Sequence, residues 1–368
     1  MSYLAAKMPA PLQGRAMAQN RVQYQHGLPM LEFFETYGSH EQCEALVRAW
    51  RWPQGFVCPR CAQTCHSEFR RASRLYFQCS TCRYQCSLVS GTIFESSKVS
   101  LPNWFAAMHL ITQAKNNVCA LELKRHLGVS YPTGWLLKHK IMEVMRLRES
   151  SRQLTGRVEI DDAYLGGALQ GGTPGRGSEN KVPFIAAVQT TNDGQPVFVC
   201  FAQAPFTKKA LSAFATQSLA RPLTVVSDGL ACFSALQDAG AHEVTVTGGG
   251  AACVKLPQFK AVNTILGNLK TALAGTYHAF GFAKYAHRYL AQVQYLFNRR
   301  FNLRTILTRL ARASCATCPC PLLAIRAAEP SCWSGAAFIT TRFTGIRNAR
   351  WSQRVTGCGT TSVIALPR

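Results

Sequence analysis

The spacing of apolar positions changes three times along the chain, and each change marks the edge of an element. Between residues 31 and 50, Leu31, Phe33, Phe34, Leu46, Val47 and Trp50 flank a Gly38-Ser39 break. Ser39 followed by Gln42 fits a helix cap, so a short helical pair is predicted there. Residues 55–94 have no helical period; Cys pairs, aromatics and turn residues alternate as they do in a small ribbon of short strands. From 101 to 148 the period becomes 3.6. Trp104, Phe105, Met108, Leu110 and Ile111 line one predicted helix, and Leu121, Leu123 and Leu127 a second. After Gly128-Val129-Ser130 a third carries Pro132 in its first turn and Trp135, Leu136, Ile141 and Val144 along its length. Helix, tight glycine turn, helix is the helix-turn-helix pattern.

Beyond Leu154 the runs turn β-rich at 157–164, 182–190, 196–202 and 223–227, with helical stretches at 206–220 and 229–239. A short strand at 242–246 and a helix from about 259 to 274 follow. Three strands and then an alternation of helices and strands predict an α/β domain with a mixed sheet. After Arg300 the composition drifts: Lys is absent beyond Lys284, and Glu329 is the one acid beyond Glu243. No packed structure is expected after about Pro330. The chain thus reads as a flexible lead (1–30), a helical lead-in and ribbon (31–98), a helix-turn-helix segment (99–153), an α/β domain (154–312) and an irregular tail (313–368).

Charge identifies the class of partner. The chain has 41 Lys+Arg against 18 Asp+Glu, a formal net charge of +23 over 368 residues. Such a field needs a polyanion. There is no long apolar run and no basic amphipathic helix to favour a membrane, so nucleic acid is the predicted partner. The first fifteen residues carry no charged stretch followed by an apolar one, so a reducing, cytoplasmic setting is expected. There, regularly spaced cysteines read as metal ligands rather than disulfides.

Four of the 16 cysteines have that spacing. Cys58-Pro59-Arg60-Cys61 and Cys79-Ser80-Thr81-Cys82 are C-x2-C knuckles separated by seventeen residues, as in a zinc ribbon. Two such knuckles close a tetrahedral Zn2+ site with no position left for substrate. Cys65 and Cys86 read as spare thiols and His66 as a surface residue.

Phosphodiester chemistry by two divalent ions needs oxygen ligands gathered from different elements. Glu159-Ile160-Asp161-Asp162 ends the first β run, and Asp161 faces one layer if Val158 and Ile160 face the other. Asp228 closes another strand, after Thr224-Val225-Val226-Ser227, at the carboxyl end where open α/β sheets hold their sites. Asn263 and Lys270 share a helix face two turns apart. Lys138 and Lys140, near Trp135 on the third helix of the 101–148 stretch, are the predicted DNA contacts of the helix-turn-helix.

With these pieces in order, FVCPRC, FQCSTC, SLVSGTIFESSKVSLPNWF, VEIDDAYLGG, VVSDG, AVNTILGNLKTAL, GTYHAF and YLFNRRF, the chain resembles insertion-sequence transposases. The subgroup is the one that joins a zinc ribbon to a DDE-type domain with Asn as third residue and Lys seven later. The resemblance runs from about Ala18 to Leu310. It implies a ribonuclease-H-like fold, Asp161 and Asp228 as carboxylate ligands of Mg2+ or Mn2+, Asn263 as the third site residue and Lys270 as a base contacting DNA. The implied activity is cleavage and strand transfer at terminal inverted repeats of double-stranded DNA. The implied setting is an oligomer on element ends and target DNA, associated with the nucleoid. The chain departs from the pattern at Gln292 and Leu296, where relatives tend to have Glu and Arg, at Asp161-Asp162 in place of Asp-Glu, and after about Ser314. A shifted reading frame would produce such a tail, with Cys315, Cys318 and Cys320 clustered by accident. A copy that binds DNA without cutting it is the alternative.

Overall fold

The computed structural model describes residues 25–166, 180–245, 256–277 and 281–327. The described residues divide into two units, Gln54–Leu88 the smaller and those up to Pro53 and from Val89 onward the larger. The smaller holds β1 (His66–Arg71), β2 (Arg74–Cys79) and β3 (Gln85–Ser87), antiparallel in that order. Its apolar interior is little more than Phe56 and Phe77, stacked with ring centroids 5.2 Å apart, with Cys86 and Leu88. Buried apolar surface this small cannot hold three short strands against chain entropy.

In the larger unit, α1 (Met30–Tyr37) and α2 (His40–Arg51) are joined through Ser39, whose hydroxyl and backbone exchange hydrogen bonds with Gln42 in a capping box. Both pack on α3 (Leu101–Gln113): Tyr37 stacks on Phe105 at 5.1 Å, Phe33 meets His109 at 4.7 Å, and Trp50 stacks on Phe105 at 6.0 Å. The sequence grouped this helical pair with the ribbon; its aromatic face belongs to the larger unit instead.

The predicted helix-turn-helix is α4 (Ala120–Leu127) and α5 (Tyr131–Glu149). Gly128 between them has φ +64, the left-handed region that glycine enters without strain. Ser130 caps α5, and Pro132 sits in its first turn, where a missing N–H costs nothing. A Cβ on Gly134 would stand 3.0 Å from the Ala120 carbonyl oxygen, so the two helices touch at backbone range.

The sheet holds β4 (Leu154–Leu165), β5 (Val182–Thr190), β6 (Pro196–Gln203), β7 (Leu219–Asp228) and β8 (Ala241–Thr245), in the order β6-β5-β4-β7-β8. β4 is antiparallel to β5 and parallel to β7. A helix α6 (Lys208–Ser218) lies on one face. On the other lie α7 (Lys260–Ala274) and α8 (Phe282–Phe297). The stretch expected as a helix at 229–239 is a 3-10 segment, Ala231–Asp238. Side chains alternate by parity: Val158, Ile160 and Val225 join the α6 core, whereas Ala163, Leu165 and Val226 join the α7–α8 core.

The exposed edge of β6 is closed by side chains. Asn298, just past α8, accepts from Val199 N–H at 2.8 Å and donates to Val199 O at 3.0 Å, and Gln294 accepts from Phe201 N–H at 2.9 Å. The same amides donate to Glu149, which also takes Arg152 at 3.0 Å and Arg299. Burial alone would raise the Glu149 carboxyl, but Arg299, Asn298 and Arg152 outweigh it and hold it below the usual carboxylate range. Removing it with Glu149→Ala leaves the largely buried Arg299 guanidinium without its carboxylate, and unfolding at pH 7 is expected to become easier by about 3–5 kcal/mol. Because the folded value is depressed, the contribution is complete above the unfolded value of about 4.3 and fades as pH falls through the folded one. The gap between wild type and Glu149→Ala in chemical denaturation therefore narrows below about pH 4.

The tail begins later than the sequence indicated. α9 (Leu303–Cys315) runs past the expected boundary at 312 because Ile306, Leu307, Leu310 and Ser314 continue one buried stripe. A short α10 (Leu322–Arg326) buries Ile325. Residues from 328 onward lie outside the described residues.

Candidate metal centres

In the smaller unit each knuckle makes the same turn. Ala62 N–H donates to Cys58 O at 2.9 Å and Arg83 N–H to Cys79 O at 3.0 Å, with Ala62 and Arg83 at φ +61 and +58. These turns bring the sulfurs of Cys58, Cys61, Cys79 and Cys82 within 4.8 Å of one another. The Cys58–Cys82 and Cys61–Cys79 separations are 3.6 and 3.5 Å. A tetrahedron with Zn–S bonds of ~2.3 Å has edges of about 3.8 Å, so the four thiols fit the ion they were predicted to hold. Electrostatics agree. Backbone N–H groups of Cys82 and Thr81 favour the Cys79 thiolate and bring its thiol down to about 6. Cys61, although a backbone hydrogen bond at Gln63 favours its thiolate, is pushed up to about 12 by burial and the surrounding sulfurs. Four such thiols ionise together only around a cation. Cys86 is a core thiol and Cys65 an exposed one, as expected. His66 is less of a surface residue than expected: its ring is half-buried, 4.7 Å from Phe56 and 5.7 Å from Phe77.

In the larger unit the register of β4 against β7 pairs Ile160 with Ser227, one step before Asp161 and Asp228. Both acids have the parity of the α7–α8 face. Carboxylate oxygens of Asp161, Asp162 and Asp228 lie within 4.8 Å of one another. Asp161 is pushed up to about 6, first by burial and then by the charges of Asp162 and Asp228; Lys270 pulls the other way. Carboxylates crowded like this in a half-buried site repel one another, and their oxygens are close enough to share one cation.

Sequence reasoning missed the residue that docks α7 here. Glu159, 1% exposed, accepts from Val262 N–H at 2.9 Å and pairs with Arg157 at 2.7 Å. That bond fixes the start of α7 to β4 two residues before Asp161 and one before Asn263. The missed signal was a Glu inside an apolar strand, on the parity of Asp161. Asn263 is half-buried and Lys270 exposed on α7. Lys270 is near enough to act on Asp161. Asp162, read from the sequence as a departure, contributes an oxygen to the cluster.

Lys138 and Lys140, predicted from the sequence to contact DNA, are buried instead. They are 1% and 7% exposed on a helix buried on most sides, so neither offers a charge to DNA in this fold. Lys138 Nζ donates to Val118 O at 2.7 Å and to the Tyr277 hydroxyl, and lies 4.0 Å from the Tyr277 ring centre. Burial pushes Lys138 down to about 7 and lowers Lys140, which reaches Ile93 O at 3.4 Å. The exposed Lys and Arg side chains of the helix pair are Lys124 and Arg125 on α4 and Arg148 in the last turn of α5. A depressed Lys value means the unfolded chain holds the proton over a range where the folded one has lost it, so stability should rise with pH between about 7 and 10.5. Lys138→Met should flatten that rise in denaturant titrations, and an unchanged slope would show that Lys138 stays charged when folded.

A five-stranded mixed sheet with carboxylates on its central strand and on the parallel strand beside it, facing a helical layer, defines a ribonuclease-H-like domain. Residues 153–298 match the ISXO2-like transposase domain, and residues 38–85 match the transposase zinc-ribbon domain. Over 237 residues the chain is 30% identical to an uncharacterized protein in transposable element ISH50 of Halobacterium salinarum, covering 59% of this chain and 77% of that protein. The chain belongs to the ISXO2-like transposase family. Among the described residues no helix is long and apolar enough to cross a membrane.

Proposed function

We propose that this chain cuts double-stranded DNA at the terminal inverted repeats of its mobile element and joins the freed ends to target DNA. The observation that carries the reading is the convergence of Asp161 and Asp162, inside β4, with Asp228 at the end of β7. Asp161 and Asp228 would hold Mg2+ or Mn2+, with Asn263 offering a neutral amide oxygen, which weakens one ion position relative to a carboxylate. Bound there, divalent ions lower the pKa of an attacking hydroxyl and stabilise the leaving oxygen. The protein's own part is to hold the carboxylates rigid between two paired strands and to keep α7 docked through Glu159, so that Lys270 faces bound phosphate.

The chemistry balances without a covalent protein intermediate. Water attacks a phosphodiester at the element end, the P–O3′ bond breaks, and a 3′-hydroxyl is released. That hydroxyl then attacks a target phosphodiester, forming one P–O bond as another breaks and a target 3′-hydroxyl leaves. Action on paired element ends implies more than one copy on the DNA, at the nucleoid.

Purified protein with Mg2+ or Mn2+ is expected to nick a duplex bearing the element's terminal repeats and to join the cut 3′ end to a second duplex. Protein that binds the duplex yet never cuts under either metal would leave the chain a DNA-binding protein only. Cutting without joining would make it a nuclease.

A further inference from the structure

A cluster of arginines lies away from the carboxylates. Arg148 at the end of α5, Arg299 just past α8, and Arg309 and Arg312 on α9 line one cavity of about 420 Å³, together with Tyr295 and Ala313. Arg309 and Arg312, three apart, share a helix face, where like charges repel by a few tenths of a kcal/mol. Arg148, Arg309 and Arg312 make no hydrogen bond or ion pair among the described residues. Arg299 is fixed: it bonds Glu149, donates to Tyr295 O at 3.1 Å, and lies 3.6 Å from the Tyr295 ring centre. Glu149 is the carboxylate bonded to this set, and it is already shared with Arg152. Four guanidiniums thus line the cavity beside one carboxylate that Arg152 also uses.

We infer that this cavity binds a backbone phosphate of duplex DNA, at a position other than the phosphate being cut. The inference rests on the reading of the chain as a DNA-cutting enzyme. A cluster of unpaired arginines is electrostatically unfavourable until an anion enters it, and guanidinium forks match phosphate oxygens two at a time. A chain with 18 acids in 368 residues has little acidic surface for a second copy to offer in its place. The cavity is not part of the carboxylate centre. Asn298, beside Arg299, bonds the outer edge of β6, whereas Asp161 lies on β4, two strands over, roughly 10 Å at ~4.8 Å per strand. A phosphate held there positions the duplex and carries no sequence information.

The test is salt-dependent binding of full-length protein to a random-sequence duplex, for wild type and for Arg148→Gln/Arg309→Gln/Arg312→Gln. Each phosphate contact contributes about 0.9 to the slope of log affinity against log salt. The variant is expected to lose about 0.9 from that slope, equally on random and terminal-repeat duplexes. In unmodified protein, saturating duplex should protect Arg309 and Arg312 from an arginine-specific glyoxal reagent, a readout that needs no variant to fold. An unchanged slope with Arg309 and Arg312 unprotected would overturn the site while leaving DNA binding intact. Loss of self-association in sedimentation with the slope unchanged would also overturn it, since the occupant would then be another protein surface. Wild-type protein with no affinity for duplex DNA would overturn both this inference and the function on which it rests.

Discussion

Asp161→Asn and Asp228→Asn are each expected to lower metal-dependent strand cleavage by ~10³-fold or more while leaving duplex affinity at or slightly above that of wild type. The two effects separate for a physical reason. A divalent ion supplies several kcal/mol of stabilisation to the charge that develops at the cut phosphate, and each 1.36 kcal/mol is tenfold in rate. Exchanging one carboxylate for an amide removes the charge that holds the ion. The same exchange relieves repulsion: Asp161 sits within 4.8 Å of two other carboxylates and faces an incoming polyanion. Single-turnover cleavage and fluorescence-anisotropy binding on one repeat duplex measure both quantities. Equal loss of cleavage and of binding would mean that these acids maintain the fold rather than the chemistry.

The second large effect is on the smaller unit. Cys79→Ser, or chelation of the wild-type protein, is expected to remove one zinc per chain and to unfold residues 54–88 while the larger unit keeps its structure. Zinc bound to four thiolates contributes ~10–16 kcal/mol to folding in small fingers, far more than a core built around Phe56 and Phe77 can replace. Metal analysis gives the stoichiometry, and hydrogen exchange reads the two units separately. In the zinc-free protein the β1–β2–β3 amides should exchange at unprotected rates, and those of β4, β5 and β7 should not change. Protected ribbon amides in the absence of metal would show that the sulfurs cluster without needing an ion.

What the sequence made legible, and what it hid, follows from the range of the interactions. The knuckles are local: two cysteines three positions apart and a turn residue one past them specify the loop wherever it sits. Asp161 and Asp228 were legible because strand parity is also local, and because acids are scarce enough in this chain for each to stand out. Glu159 was hidden because its partner, Val262 N–H, is 103 residues away. Lys138 and Lys140 were misread for a related reason. The pattern of α5 marks it as a helix, but α5 is buried from Gly134 through Met145 almost without interruption, and a helix enclosed on most sides has no wet face for its lysines. The helix-turn-helix spacing was right, and the identity of its solvent-facing bases depended on what packs against it. The tail shows the converse. Its composition drifts, yet the stripe through Ile306, Leu310 and Ser314 keeps its period and carries α9 to Cys315.

Whether the β4 and β7 carboxylates seat a divalent ion can be read from anomalous scattering by crystals grown with Mn2+, recorded at a wavelength where manganese scatters strongly. A peak in contact with oxygens of both Asp161 and Asp228, absent in Asp228→Asn, is the predicted result. Full occupancy of manganese elsewhere in the crystal, with no peak between these two side chains, would contradict it.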